Sequence, residues 1–368
     1  MDEQENSVRS KKRPLASMAT PGPSPQPPPR TKKRVPLGDL TNSPGLNRET
    51  RKPKPALRKE KVEESVGPEI VSSCEVPQKS AYAPLIYLHL HSLEVEENRR
   101  PLPGYMEKVQ KDVNPAMREI LLNWLVEVAE EYKLVSDTLF LTVSYIDRFL
   151  SCHSVSRNKL QLLGVSCMLI ASKYEEITPP RIEDFCYLTD NAYTKEEVVN
   201  MEGDVLRFLN FNMGTPTTKN FLRIFIRVAQ ENSTIGHPPH VYNLQMEFLG
   251  CYLAELGLLD YECLRFLPST VAASAIFLSR FTVQPKMHPW NLELQYSTGY
   301  RPLELKECVL AIHELQLGRR GLCFQAVRDK FIQHKFKRVA ALCPPSEIPA
   351  NYFEAVDEKT SKSSRVID

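Results

Sequence analysis

The sequence predicts an all-α protein: two consecutive five-helix units behind a leader that builds no core of its own. Three observations lead there. From about Tyr82 to Val339 the apolar residues recur at helical spacing, and no stretch alternates as a strand does. Prolines and Ser/Thr/Asp clusters interrupt that region where one helix must end and the next begin. Residues 1–62 hold 15 Lys/Arg against 6 Asp/Glu and 11 of the 29 prolines, and no aromatic residue precedes Tyr82. Such a segment buries too little apolar surface to offset the entropy of ordering it, so disorder is expected there.

The elements follow in order. An early amphipathic helix carries His89 and His91. Pro115, whose missing N–H costs nothing in a first turn, opens a helix over about 116–132. Ser136-Asp137 starts the next, about 137–151, and a third runs over 157–175 until Thr178-Pro179-Pro180 stops it. Two more cover about 181–189 and 194–210. After Gly214-Thr215-Pro216 a second set is expected at about 216–231, 238–258, 263–282, 291–297 and 302–317. The third helix of each set is rich in small residues: Gly164, Ser166, Ala171 and Ser172 in one, Ala272, Ala273, Ser274 and Ala275 in the other. Small side chains let neighbours close in from several sides, as a central helix requires, and the parallel order suggests a repeated unit. The expected organisation is therefore a tail over 1–80, an early helix and first unit over 81–213, a second unit over 214–340, and a terminal tail over 341–368.

Composition narrows the function. The chain has 368 residues, 42% hydrophobic and 25% charged, with a formal charge of +2. The nine cysteines show no CxxC pair, which reads as reduced thiols inside a cell rather than a disulfide framework or a zinc site. No apolar run approaches the roughly 20 residues of a membrane span, and the first residues do not read as a secretory signal, so no membrane partner is expected. His89 and His91 have metal-like spacing without a carboxylate or Cys cluster beside them. Neither a glycine-rich phosphate loop nor a nucleophile elbow occurs, so neither catalysis nor a cofactor is expected.

Residues 117–151 read MREILLNWLVEVAEEYKLVSDTLFLTVSYIDRFLS, 160–180 read LQLLGVSCMLIASKYEEITPP, and TKEEVVNMEGDVL ends at Leu206. These segments resemble the cyclin box, in wording most similar to the A-type cyclins of plants. The resemblance covers about 105–340 and is denser in the first unit. It implies two tandem cyclin boxes and a non-enzymatic subunit that binds and activates a cyclin-dependent kinase, from S phase to mitosis. Lys173 and Glu202 match the family's kinase-facing pair, with Tyr174, Leu206 and Phe211 as apolar contacts nearby. Spacing alone would leave these as solvated charges. Arg118 and Asp147 match a structural salt bridge between the first two helices.

The first helix of the box is apolar around most of its circumference. On a wheel of about 100° per residue, Glu119, Asn123, Glu130 and Glu127 share a narrow polar side. Such a helix is either wholly buried or carries an exposed docking strip. The resemblance favours the strip along one edge: Met117, Ile120, Leu121 and Trp124, with Leu160 and Gln161, match the family's patch for RxL-containing substrates and inhibitors. Glu127 is placed to pair with the peptide arginine. Glu119 stands where the family usually has Ala, and Asn123 where it usually has Asp; both are expected on the polar side, away from the patch.

The leader contains Lys11-Lys12-Arg13-Pro14 and Lys32-Lys33-Arg34, short basic runs that suit a nuclear import receptor or a polyanion, or simply stay solvated. Nuclear localisation, with shuttling to the cytoplasm, is the expectation. The bare RxxL pattern recurs at Arg99, Arg118, Arg157 and Arg319, but only Arg34-Val35-Pro36-Leu37 adds Asn42. It resembles the destruction box that a ubiquitin ligase, the anaphase-promoting complex, reads in mitotic cyclins. Lys52, Lys54, Lys59 and Lys61 are candidate ubiquitin acceptors, and Thr20-Pro21, Ser24-Pro25 and Ser43-Pro44 are candidate sites for proline-directed kinases. The competing reading is a nucleic-acid-binding protein built from paired boxes of the same fold. Such a protein should carry a basic stripe on its folded part, whereas residues 63–368 are net acidic, so no nucleic acid is expected.

Overall fold

The computed structural model of this protein describes residues 83–231, 239–320 and 324–354. The leader motifs, from the basic runs through Arg34, Leu37 and Asn42, lie outside these residues. The described residues form helices joined by turns. In order they are α1 (Ala83–Glu94), α2 (Tyr105–Lys108), α3 (Pro115–Glu131), α4 (Ser136–Cys152), α5 (Leu160–Glu175), α6 (Ile182–Leu188) and α7 (Lys195–Phe208). After these come α8 (Thr218–Glu231), α9 (Pro239–Leu259), α10 (Pro268–Val283), α11 (Leu292–Thr298), α12 (Pro302–Gln316) and α13 (Gln325–Phe331).

Local chemistry explains most starts. Asn114 accepts the Met117 N–H at 2.9 Å ahead of Pro115, and Thr194 and Glu197 cap each other's backbone N–H at the head of α7. The Ser136-Asp137 start signal works differently from its appearance. No side chain of its own caps α4; the Glu176 carboxylate, just past α5, accepts the Val135 N–H at 2.8 Å and the Thr138 hydroxyl at 2.6 Å. Asp137 turns instead to Arg223 on α8, 2.7 Å away.

Two helices serve as central axes. All of α5 from Leu162 to Ser172 is buried, against α3, α4 and α7. In the second unit α10 is buried from Val271 to Ser279 and lies against α8, α9 and α12. Each fully buried Leu, Ile or Phe contributes about 1.5–3 kcal/mol. Gly164 shows why a small residue is needed on α5: a Cβ there would come 2.8 Å from Cδ1 of Leu121 on α3. The expected helix limits agree with the observed ones to a few residues; two expected starts, at 157 and 263, include 3-10 turns, Arg157–Lys159 and Tyr261–Arg265.

Polar contacts join the two units. Arg118 Nη1 donates to the Leu259 carbonyl at 2.6 Å and Nη2 to that of Leu258, reaching the otherwise unpaired C-terminal carbonyls of α9. The Met106 N–H donates to the Tyr261 hydroxyl at 3.0 Å, and the Ala326 N–H at the head of α13 donates to Asn123 on α3, also at 3.0 Å. The buried Lys330 on α13 meets Glu255 on α9 at 2.9 Å and Glu130 on α3 at 3.3 Å. Its ammonium titrates above the ordinary range: burial opposes the charge, and Glu255 and Glu130 outweigh it. No helix among the described residues is long and apolar enough to cross a membrane.

Candidate functional site

One edge of the first unit is built from the last turn of α5 and the middle of α7. There Lys173 Nζ lies 2.6 Å from Glu202 Oε1, with side chains 47% and 12% exposed. The pair bridges two helices that pack along their length, so both charges are held at the rim. An ion pair this exposed contributes about 0–1 kcal/mol, too little for its purpose to be stability. Tyr174 is half exposed, and its hydroxyl rests where a Cβ on Gly214 would come within 2.9 Å, so that glycine makes room for the ring. Phe211 is 65% exposed and sits at a φ of +57°, in a turn closed by its N–H donating to the Leu206 carbonyl at 3.1 Å. A left-handed backbone costs a non-glycine residue about 1–2 kcal/mol, here spent to aim an aromatic ring outward. Leu206 is half-buried beneath it. The structure therefore pairs Lys173 with Glu202, leaves Tyr174 and Phe211 exposed, and half-buries Leu206.

Sequence reasoning missed two contributors. Ile177, fully exposed in the turn after α5, adds an apolar side chain that is close in sequence to Lys173 and Tyr174. Glu176 ties the end of α5 to the start of α4. An apolar residue before Thr178-Pro179-Pro180 was visible in the sequence; a cap supplied 40 residues away from its helix was not. Arg99 secures the neighbouring linker, donating to Asn212 at 3.0 Å and to the Gly214 carbonyl at 2.8 Å.

The exposed stripe of α3 runs through Ala116, Ile120, Glu127 and Glu131. Ile120 is 60% exposed, flanked by half-buried Met117 and Trp124. Leu121 and Leu160 are buried, as floor rather than rim, and Gln161 is half-buried at the start of α5. Of the four residues on the polar side, Glu127 alone is exposed and the other three are half-buried. Asn123 bonds α13, Glu130 meets Lys335 at 2.9 Å, and Glu119 is half-buried near Asp260, where burial first and then the Asp260 charge raise its carboxyl above the usual range. The second unit covers that side because its polar groups find partners there. Glu127 stays exposed next to the apolar strip.

Arg118 is fully buried and forms a two-pronged bridge to Asp147, Nε to Oδ1 and Nη2 to Oδ2, each 2.7 Å. Tyr105 donates to the same carboxylate at 2.8 Å. Although burial works against the cation, Asp147 raises its pKa further, and the Tyr105 phenol is raised by burial and then by Asp147. Arg118 is charged at any physiological pH. His91, one of the metal-spaced pair, meets buried Glu94 at 2.5 Å, and Glu94 accepts the Ser269 N–H at 2.9 Å at the head of α10.

The profile of the cyclin N-terminal domain matches residues 86–214, and that of the cyclin C-terminal domain matches residues 216–345. Among curated proteins the chain is 59% identical to Cyclin-A3-1 of Oryza sativa subsp. japonica over 283 residues, covering 77% of this chain and 74% of that one. It is 52% identical to Putative cyclin-A3-1 of Arabidopsis thaliana, covering 89% and 91%, and 50% identical to G2/mitotic-specific cyclin C13-1 of Daucus carota, covering 92% and 99%. The chain belongs to the A-type cyclins of plants. A viral cyclin from herpesvirus saimiri has the same fold, with a TM-score of 0.54 at 20% identity over 64% of this chain and 99% of that one. As a cyclin, the protein is a regulatory rather than catalytic subunit, and it regulates a cyclin-dependent kinase in the cell cycle. The ion pair on α5 and α7 lies in the N-terminal cyclin domain, as does the α3 strip.

Proposed function

We propose that this cyclin grips its kinase at the α5–α7 edge and holds the kinase's mobile regulatory helix in the active position. The observation that carries this is the rim pair: a cation and an anion pre-positioned where their contribution to stability is small, on a domain that also exposes Tyr174, Phe211 and Ile177. Holding both side chains against each other removes rotamer freedom that binding would otherwise have to remove. On docking, Lys173 donates to backbone carbonyls and Glu202 accepts backbone N–H groups of the kinase, and the aromatic rings bury apolar area around them. The kinase helix so fixed keeps its own Glu paired with the ATP-binding Lys. The cyclin supplies no catalytic group; it shifts a population.

The α3 strip is the second part of the proposal. Ile120, Met117 and Trp124 take the apolar side chains of RxL-containing substrates and inhibitors, above Leu121, Leu160 and Gln161, while Glu127 takes the arginine. The leader completes it: Arg34, Leu37 and Asn42 direct timed destruction through the anaphase-promoting ubiquitin ligase, and the basic runs direct the complex to the nucleus. Residues 1–80 thus regulate, 81–213 bind kinase and substrates, and 214–340 support the first box.

The test exploits the internal pair. In the full chain, Lys173→Glu with Glu202→Lys keeps an ion pair between α5 and α7 but reverses what the partner meets. Thermal stability should stay within about 0.5 kcal/mol of the parent. Kinase affinity should fall at least about thirtyfold, equivalent to ~2 kcal/mol for misplaced interfacial charge. Undiminished kinase activation by the swapped protein refutes the assignment.

A further inference from the structure

We propose that Thr178, in the turn between α5 and α6, is a phosphorylation site for a proline-directed kinase, and that its phosphate and kinase docking exclude each other. This deepens the reading of the α5–α7 edge and rests on it. The first observation is in the sequence. A Ser or Thr followed by Pro occurs at Thr20, Ser24, Ser43, Thr178 and Thr215, and only Thr178 has a cation three positions on, in Thr178-Pro179-Pro180-Arg181. Pro179 has no N–H to satisfy, so it suits a kinase cleft that offers no acceptor at that position. Arg181 offers a guanidinium fork that fits a carboxylate or phosphate of the kinase.

The second observation is that the fold presents this motif and hides the other one in the cyclin domains. Thr178 lies in the non-helical stretch between Glu175, the end of α5, and Ile182, the start of α6. Pro179 biases it to extended backbone, the form that a substrate takes in a cleft. Thr178, Pro179 and Arg181 are exposed, and the Thr178 hydroxyl has no hydrogen-bond partner among the described residues. Thr215, by contrast, is 8% exposed, and its Oγ1 already accepts from Arg148 at 3.1 Å. In the reaction the Thr178 oxygen attacks the γ-phosphorus of ATP and the bond to the bridging oxygen breaks. ADP leaves, and the hydroxyl proton passes to the kinase's base.

The phosphate adds a charge of about −1.5 to −2. It joins a turn that leaves the negative end of α5 and already carries Glu175 and Glu176. Its neighbour in the chain is the fully exposed Ile177. Thr178 is four residues past Tyr174, at most about 14 Å away. An interface of standard size buries about 800 Å² on each partner, a patch roughly 30 Å across. A kinase seated on Lys173, Glu202 and Tyr174 therefore covers Thr178, and a dianion there would have to give up its water. The docked kinase in turn shields the hydroxyl. Phosphorylation thus acts on free cyclin and keeps it from its kinase.

The experiment incubates the full-length cyclin with ATP and a preassembled complex of a cyclin-dependent kinase with another cyclin, whose docking edge is already occupied. Tandem mass spectrometry maps the phosphate, and biolayer interferometry reads affinity for the free kinase subunit before and after treatment. Thr178 should be modified and Thr215 should not. Affinity of the parent should fall at least about tenfold on modification. Thr178→Ala, treated in the same way, should keep the affinity it had before treatment. Saturation with the free kinase subunit beforehand should protect Thr178. A Thr178 that stays unmodified, or is modified without such protection, overturns the inference. A loss of affinity that Thr178→Ala shares belongs to another acceptor and overturns it as well. Modification that leaves affinity unchanged also overturns it, and Lys173→Glu with Glu202→Lys then tells how far the failure reaches. If the swapped protein binds kinase weakly, the edge stands and only the phosphate switch falls; if it binds as the parent does, the edge reading falls too.

Discussion

Arg118 and Lys173 are both cations paired with a carboxylate, and burial gives them opposite duties. Lys173 keeps its charge available at a rim, whereas Arg118 is sealed between α3, α4 and the end of α9 with all three of its nitrogens bonded. Arg118→Leu leaves Asp147 buried without its cation and should cost about 3–5 kcal/mol in urea unfolding. Adding Asp147→Leu should recover part of that loss, because no stranded charge remains; a double variant no more stable than the single one contradicts this account. His313 offers a pH handle. It lies buried on α12 edge-on to the Phe281 ring, its Nε2–H donating to the Pro345 carbonyl at 2.8 Å. Burial lowers its pKa below the ordinary value, outweighing that hydrogen bond. The unfolded chain therefore takes up the proton first, at about pH 6.5, and stability falls as the pH drops through that value. His313→Gln, which retains an N–H donor and does not titrate, should show a shallower loss of stability between pH 7 and pH 5 than the parent.

At the level of elements, α3 has the most demands placed on it. One side seals the core, a second bonds the C-terminal segment through Asn123 and Glu130, and a third shows Ile120 and Glu127 to solvent. Its closeness to α5 depends on Gly164. Gly164→Ala should push Leu121 aside and cost about 1–3 kcal/mol, with weaker peptide docking as the floor of the strip shifts; differential scanning calorimetry and fluorescence anisotropy of a labelled RxL-containing peptide read the two effects. The helix count of both units was legible in the sequence because long amphipathic periods and prolines act locally. Short α2 and α13 were not: α2 has only four residues, and α13, as long as α6 and α11, has no proline just ahead of it, whereas Pro180 precedes α6 and Pro289 precedes α11. Which polar positions of α3 meet solvent was not legible for a related reason: periodicity separates polar from apolar positions but does not say which polar positions another helix will cover.

Across the whole described body, bonds cross between the cyclin domains at several separate places: Arg118 to α9, Asp137 to Arg223, Asn123 to α13, and Lys330 to Glu130. Such a seam should make the two domains unfold together. The chain has two tryptophans, Trp124 in the first domain and Trp290 in the second, so each domain carries its own fluorophore. Trp124→Phe and Trp290→Phe variants, each reporting through the remaining ring, should each show fluorescence and circular dichroism transitions that coincide along the guanidinium axis. Separated midpoints within either variant would mean that the seam is weak.

Sequence alone determined the family, the order of the helices, the central place of α5 and α10, and the residues Lys173, Glu202, Arg118 and Asp147 as pairs worth testing. These depend on local pattern and on residue types in register, which a chain carries before it folds. Tertiary structure decided which carboxylate caps α4, which face of α3 meets water, and that Arg118 fastens one domain to the other as well as one helix to the next. Those outcomes depend on which groups lose their water and which distant partner replaces it, and that is settled only when the helices come together.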